Sequence, residues 1–124
     1  MKNEQVLSDV LDVWQAGIDA HEPDRVAQVF TTDAIFQGLR PYSVGRAGVR
    51  DYYASQPAGL TVRYRIRETR NPAEGVVLGY TRADFTFADG TGVSLNLSVL
   101  VTRTPEGWQI AHYQVSAVPD NDIG

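Results

Sequence analysis

Val93-Ser94-Leu95-Asn96-Leu97-Ser98-Val99-Leu100-Val101-Thr102 is the stretch that decides the fold. Apolar and polar residues alternate along it with a period of two, the pattern of a strand whose two faces meet different surroundings. Val93, Leu95, Leu97, Val99 and Val101 share one face, and Ser94, Asn96, Ser98, Leu100 and Thr102 share the other. Working outward, Asp89-Gly90-Thr91-Gly92 precedes this strand and Pro105-Glu106-Gly107 follows it, both strong turn signals. The same period continues through Thr61–Arg70, Val76–Phe87 and Trp108–Val118, with Asn71-Pro72 marking a further turn. Four strands joined by tight turns predict an antiparallel meander.

Upstream of residue 60 the period changes to that of a helix. Val6, Val10, Trp14 and Ile18 recur at four-residue spacing, with Leu7 and Leu11 beside them, and predict an amphipathic helix over about residues 4–20. Pro23 suits the first turn of a second helix, whose apolar face is Val26, Val29 and Phe30. Ala34-Ile35-Phe36 reads as a short strand and Gly38 to Gly45 as a loop. A third short helix is expected from Arg46 to about Ser55, turning Val49, Tyr52 and Tyr53 inward. Helices followed by strands indicate an α+β fold.

The chain's 124 residues make one domain, expected over 1–119, with 120–124 a flexible acidic tail. Lys and Arg number 11 against 15 Asp and Glu, a net charge of −4 that argues against nucleic acid or an anionic membrane as partner. Arg63, Arg65 and Arg67 alternate on one strand face, but no aromatics interleave with them, so cross-strand carboxylates or solvent are the expected company. Without cysteine there is no disulfide, thiolate metal site or cysteine nucleophile. Acidic residues interrupt the N-terminus before any apolar run forms, and no stretch approaches the ~20 apolar residues of a membrane span. A cytoplasmic protein is expected. No Gly-x-Gly-x-x-Gly, phosphate loop or Gly-x-Ser-x-Gly elbow is present, so no cofactor and no metal are predicted.

On the last strand Trp108, Ile110, His112, Gln114 and Ser116 alternate with Gln109, Ala111, Tyr113, Val115 and Ala117. Neither face is the charged face of a solvated sheet. The aliphatic row of Val93, Leu95, Leu97, Val99 and Val101 must therefore be core or partner interface. Two usefully apolar faces suggest helices on one side and a second subunit on the other, so a homodimer is expected. Its interface is assigned to that row together with Tyr113.

The order of elements, with Asp33-Ala34-Ile35-Phe36, Gly45 to Tyr53, and the ending Gly107-Trp108-Gln109-Ile110-Ala111-His112-Tyr113-Gln114-Val115-Ser116, resembles the nuclear transport factor 2-like superfamily over residues 5–119. Within it the chain is most similar to the association domain of calcium/calmodulin-dependent kinase II and its small bacterial relatives, among them proteins of enediyne polyketide pathways. The resemblance implies a cone: a strongly curved sheet wrapped round three helices, with an internal pocket. It implies that Arg82, in Gly79-Tyr80-Thr81-Arg82, and His112 point into that pocket. Chain parity then adds Tyr80, Asp84, Asn96 and Ser98. Two departures matter. The aspartate base of the superfamily's steroid isomerases corresponds here to Gly38, and their first-helix tyrosine to Trp14, so that activity is not carried over.

The expected pocket is Trp14, Phe36, Tyr53, Tyr64, Tyr80, Arg82, Asn96, Ser98, His112 and Gln114. Aromatic walls with a few polar points are the usual make-up of a small-molecule site. His112 is the candidate proton shuttle, Arg82 the candidate oxyanion clamp and Asp84 its orienting partner. The leading expectation is a small-molecule pocket protein for an apolar or aromatic, polyketide-type metabolite, acting by cofactor-free proton transfer as an isomerase, cyclase or dehydratase would. A non-catalytic carrier and an assembly module are the alternatives.

Overall fold

The computed structural model describes residues 2–119. The tail expected at 120–124 lies outside the described residues. In chain order the elements are α1 (Asn3–Asp19), α2 (Pro23–Ala27), β1 (Phe30–Gln37), β2 (Ser43–Val44), α3 (Arg46–Ala54), β3 (Thr61–Ala73), β4 (Val76–Thr86), β5 (Gly92–Thr104) and β6 (Gly107–Ala117). The strands form one six-stranded sheet in the order β2-β1-β6-β5-β4-β3. All neighbours are antiparallel except β1 and β6, which run parallel. The fold is α+β, as the sequence predicts, with the helices on one side of a curved open sheet.

Two boundaries differ from the sequence reading. The second helix stops at Ala27, and Phe30 opens β1 instead, paired with Ile110 and packed edge-to-face on Phe36 at 5.7 Å. Asn71-Pro72 is not the turn between β3 and β4; the chain reverses around Gly75, which takes φ 73°. Proline is tolerated inside β3 because that strand is the sheet edge, where a missing N–H breaks no ladder.

The aliphatic row of β5 is the core. Leu95, Leu97, Val99 and Val101 are buried beneath the helices within a single chain, as is Tyr113, so these residues cannot form the dimer interface assigned to them. Their companions on β4 are Val77, Gly79, Thr81, Ala83 and Phe85. Small residues sit there because α1 lies close: a Cβ on Gly79 would come within 2.8 Å of Leu7 Cδ1. From α1, Val6, Leu7, Val10, Leu11, Trp14 and Ile18 complete this core.

The opposite face of the sheet carries Tyr80, Arg82 and Asp84 from β4, and Ser94, Asn96, Ser98 and Leu100 from β5. Parity on β6 is broken by a bulge. Val101 pairs with Ile110 but Leu100 with His112, so Ala111 is the extra residue. Ile110 is therefore fully buried while His112 turns to the outer face, although two positions apart would otherwise place them together.

Candidate functional site

Three of the aromatics predicted to point inward do so. Trp14, Phe36 and Tyr53 converge from α1, β1 and α3 and meet Tyr113 of β6, whose ring stacks on Phe36 at 4.6 Å. Trp14 Nε1–H donates to the Tyr53 hydroxyl at 3.1 Å, and the Tyr53 and Tyr113 hydroxyls share a hydrogen bond at 3.2 Å. Burial pushes both phenols well above the ordinary tyrosine value, so both stay protonated at neutral pH.

Counting donors shows what this chain can do. The indole is a donor only, so the Tyr53 oxygen must accept from it. The two phenols own two protons and share one bond, so one phenolic proton is left without an acceptor among the described residues, whichever hydroxyl donates. Both rings line a cavity of about 40 Å³ between α3 and the inner sheet face. Phe85, Phe87, Val93 and Leu95 make its sheet wall, and Leu39, Tyr52 and Gln56 make its rim. Among the described residues no carboxylate, imidazole, ammonium or guanidinium lines it.

The residues assigned to catalysis lie elsewhere. Arg82, Asp84 and His112 are on the outer face of the sheet, away from this cavity, and so are Tyr80, Asn96, Ser98 and Gln114; these seven assignments to an internal pocket are corrected by the geometry. Arg82 Nε donates to Asp84 Oδ1 at 3.1 Å, and Ser94 Oγ donates to the same oxygen at 2.5 Å. The Ser94 hydrogen bond, then the Arg82 guanidinium, hold the Asp84 carboxyl below its ordinary value. His112 is not part of this group. It lies opposite Leu100, whereas Arg82 lies opposite Asn96, about 13 Å along β5 at the usual rise per residue. Its near polar neighbour is Gln114, with Nε2 and Oε1 3.4 Å apart.

Tyr64 is half-buried where β3 meets α1 and donates to Asp12. Burial, and then that hydrogen bond, push its phenol up to about 12. It ties a helix to a strand and does not line the cavity. The basic stripe is also altered: β3 bulges at Arg67, between Ile66 and Glu68, so only Arg63 and Arg65 keep the shared face. Among the described residues no three His, Asp or Glu side chains gather as a metal site requires.

Sequence reasoning passed over Tyr52, Leu39, Gln56, Phe85 and Phe87 as site residues, and treated Val93, Leu95 and Tyr113 as interface. A usable signal was present: Gly79, Thr81 and Ala83 alternate on β4 with larger residues, and small side chains mark the strand face against which a helix lies.

Gly38 bears on the chemistry. It is buried at the end of β1, and a Cβ there would lie 2.7–2.8 Å from the Tyr52 phenol ring. The space that a carboxylate at this position would need is filled by tyrosine.

Comparison with known proteins agrees with this architecture. A domain of unknown function with a cystatin-like fold from Nostoc punctiforme superposes with a TM-score of 0.84 at 14% identity, covering 98% of this chain and 80% of that one. A ketosteroid isomerase-like protein from Erwinia carotovora gives 0.74 at 19% identity, over 94% of this chain and 96% of its own. A Xanthomonas campestris protein described as a calcium/calmodulin dependent protein kinase II association domain gives 0.78 at 15%, over 92% and 86%. At such identities the likeness shows the fold alone. A search among curated proteins returned no match. The sequence profile of the SnoaL-like domain, however, matches residues 7–121, and the chain belongs to that family of the nuclear transport factor 2-like superfamily.

Proposed function

We propose that the protein binds a small, largely apolar molecule carrying one hydrogen-bond-acceptor oxygen, in the cavity between α3 and the inner sheet face. The observation that carries this reading is the unspent phenolic proton of the Tyr53–Tyr113 pair, held inside apolar walls. In such low-polarity surroundings a neutral hydrogen bond contributes about 1 kcal/mol.

The cavity supplies a proton donor, and its lining residues include no group to act as general base. Among the activities of the superfamily this favours ligand holding over isomerisation, cyclisation or dehydration. The ketosteroid isomerase-like neighbour is in keeping with a ketone ligand. Size narrows the choice: 40 Å³ is far below the ~300 Å³ of an ordinary small-molecule site, which speaks against a polycyclic polyketide fitting the closed form.

Cyclopentanone and methylenecyclopentane, alike in shape and differing in the acceptor, test the reading. Binding is followed by NMR through the Trp14 indole N–H, with Trp108 as internal reference. The ketone should bind about five- to ten-fold more tightly, corresponding to about 1 kcal/mol. Replacing both Tyr53 and Tyr113 by Phe should erase the preference. Equal binding of the two probes by the unaltered protein would sink the idea.

A second copy of the chain is the partner we propose, through the outer sheet face. Ile35, Leu78 and Tyr80 stand 43%, 37% and 40% exposed there, an apolar group unusual for a solvated sheet. The association-domain neighbour supports self-association. Light scattering should give twice the chain mass, and Tyr80→Glu should halve it.

A further inference from the structure

We infer that Tyr52 is the gate of the cavity and sets which ligands enter: a compact ring with its oxygen inside, and an anionic arm that passes the tyrosine to reach Arg40. This rests on the cavity being the ligand site and adds the identity of the ligand's outer part. The same phenol ring lines two spaces. On its inner side is the 40 Å³ cavity. On its outer side is an open cleft of about 220 Å³, bordered by Phe36, Arg40, Ser43, Asp51 and Ser55. Taken together the two approach the lower bound of a working small-molecule site, roughly 300 Å³. The ring is what divides them.

Packing more than hydrogen bonding holds it in the closed position. Edge-to-face contacts to Phe36 and Tyr53, each at 5.0 Å, are its aromatic packing. The hydrogen bond recorded for its hydroxyl is a long one, accepted from the Leu39 N–H at 3.4 Å. Tyr52 is half-buried near the C-terminal end of α3, where its ring borders both the cavity and the open cleft. Gly38 accommodates the closed ring, since any side chain at that position would overlap it.

The cleft states the chemistry of the arm. Asp51 is already partnered by Arg50 at 3.4 Å, whereas Arg40 enters no ion pair among the described residues. Ser43 adds a hydroxyl, while that of Ser55 is already donated to the Tyr52 carbonyl at 2.6 Å. A carboxylate arm finds a free guanidinium there, and an apolar arm finds nothing to pack on beyond Phe36 and Pro41.

Two probes test this: cyclopentanone, and 3-(2-oxocyclopentyl)propanoate, the same ring with a carboxyethyl arm. An open form populated at 1–10% would reduce the apparent affinity of the long probe by that fraction. Tyr52→Ala should therefore tighten the long probe about ten-fold or more relative to cyclopentanone. Gly38→Ala, which displaces the ring without removing it, should act in the same direction and covers the case that Tyr52→Ala fails to fold. Arg40→Ala should weaken the long probe and leave cyclopentanone unchanged. If cyclopentanone binds but the long probe is indifferent to both Tyr52→Ala and Gly38→Ala, or both probes shift alike, the gate is overturned and the cavity reading stands. If cyclopentanone binds none of these proteins, both readings fall.

Discussion

Leu97→Ala separates a core position from an interface position by magnitude and by concentration dependence. Leu97 is fully buried, faced across the ladder by Thr81 on β4 and Val115 on β6, with Leu95 and Val99 on either side along β5. Truncation removes three carbons, at about 0.8 kcal/mol each by transfer, or about 2.4 kcal/mol. The walls of the hole belong to a continuous sheet whose backbone cannot close in, so a residual cavity adds about 1–2 kcal/mol more. A loss of about 3–4 kcal/mol is expected, from a total of about 6–18 kcal/mol for a chain of this length. With a urea m-value of about 1.5 kcal/mol/M, the midpoint should fall by about 2 M. Equilibrium unfolding followed by tryptophan fluorescence measures this, repeated at two protein concentrations a hundred-fold apart. Asn96→Ala, one residue along on the outer face, should stay within about 0.5 kcal/mol as the control. The reasoning is refuted if Leu97→Ala costs under 1 kcal/mol, or if its cost varies with concentration as a subunit contact would make it do.

His21→Gly should stabilise the protein. His21 has φ 53° and sits at the end of α1, where the N–H of Glu22 bonds the Gly17 carbonyl at 2.8 Å and that of His21 bonds Ile18 at 3.0 Å, the pairing of a Schellman cap that favours glycine. Relief of the left-handed strain, less the entropy of glycine, should leave about 0.5–1 kcal/mol, seen in calorimetry as a rise of about 3 °C. A fall in melting temperature would show that the imidazole holds the corner. Ser94→Ala should raise the titration of the Asp84 carboxyl, since the Ser94 hydroxyl is the largest contributor to its depression. A depressed carboxyl stabilises the fold above its unfolded value, near 3.9, and that stability is lost as pH falls through the folded value. The advantage of the unaltered protein over Ser94→Ala should be full at neutral pH and fade below about 4. Carboxyl NMR and urea unfolding at both pH values check this, and a difference that persists in acid contradicts it.

Periodicity was enough to place every long element, because burial on one face writes itself into sequence whatever the tertiary partner. It could not say which face. Along β5 the aliphatic row reads equally as core or as interface, and two apolar sheet faces suggest a second subunit without saying which face it covers. The structure makes that choice through local features that alternation hides. The bulge at Ala111 turns His112 out while leaving Ile110 in, and the small residues Gly79, Thr81 and Ala83 admit α1 on the face opposite Arg82. Tyr80, Arg82, Asp84, Asn96, Ser98, His112 and Gln114 do share one face, as parity groups them, but it is the outer one, so that part of the predicted site fails as a block.

Of the residues expected to line a pocket only Tyr53 lines the cavity, and the reason is a different one. Its polar feature is a relation among Trp14, Tyr53 and Tyr113, from α1, α3 and β6, and the two phenols stand 60 residues apart in sequence. None of the three is a conventional catalytic residue, and no spacing announces them. What makes them a site is subtraction: an indole that can only donate, two phenols with one bond between them, and no hydrogen bond among the described residues that takes up the remaining proton. Buried tyrosine is ordinarily explained by packing, and Tyr113 stacked on Phe36 would pass for that. The unspent proton is what packing does not explain. It is also why the cavity points to an oxygen-bearing ligand and not simply to a greasy one, since an apolar guest would leave that donor buried and unpaired at a cost of about 1–3 kcal/mol.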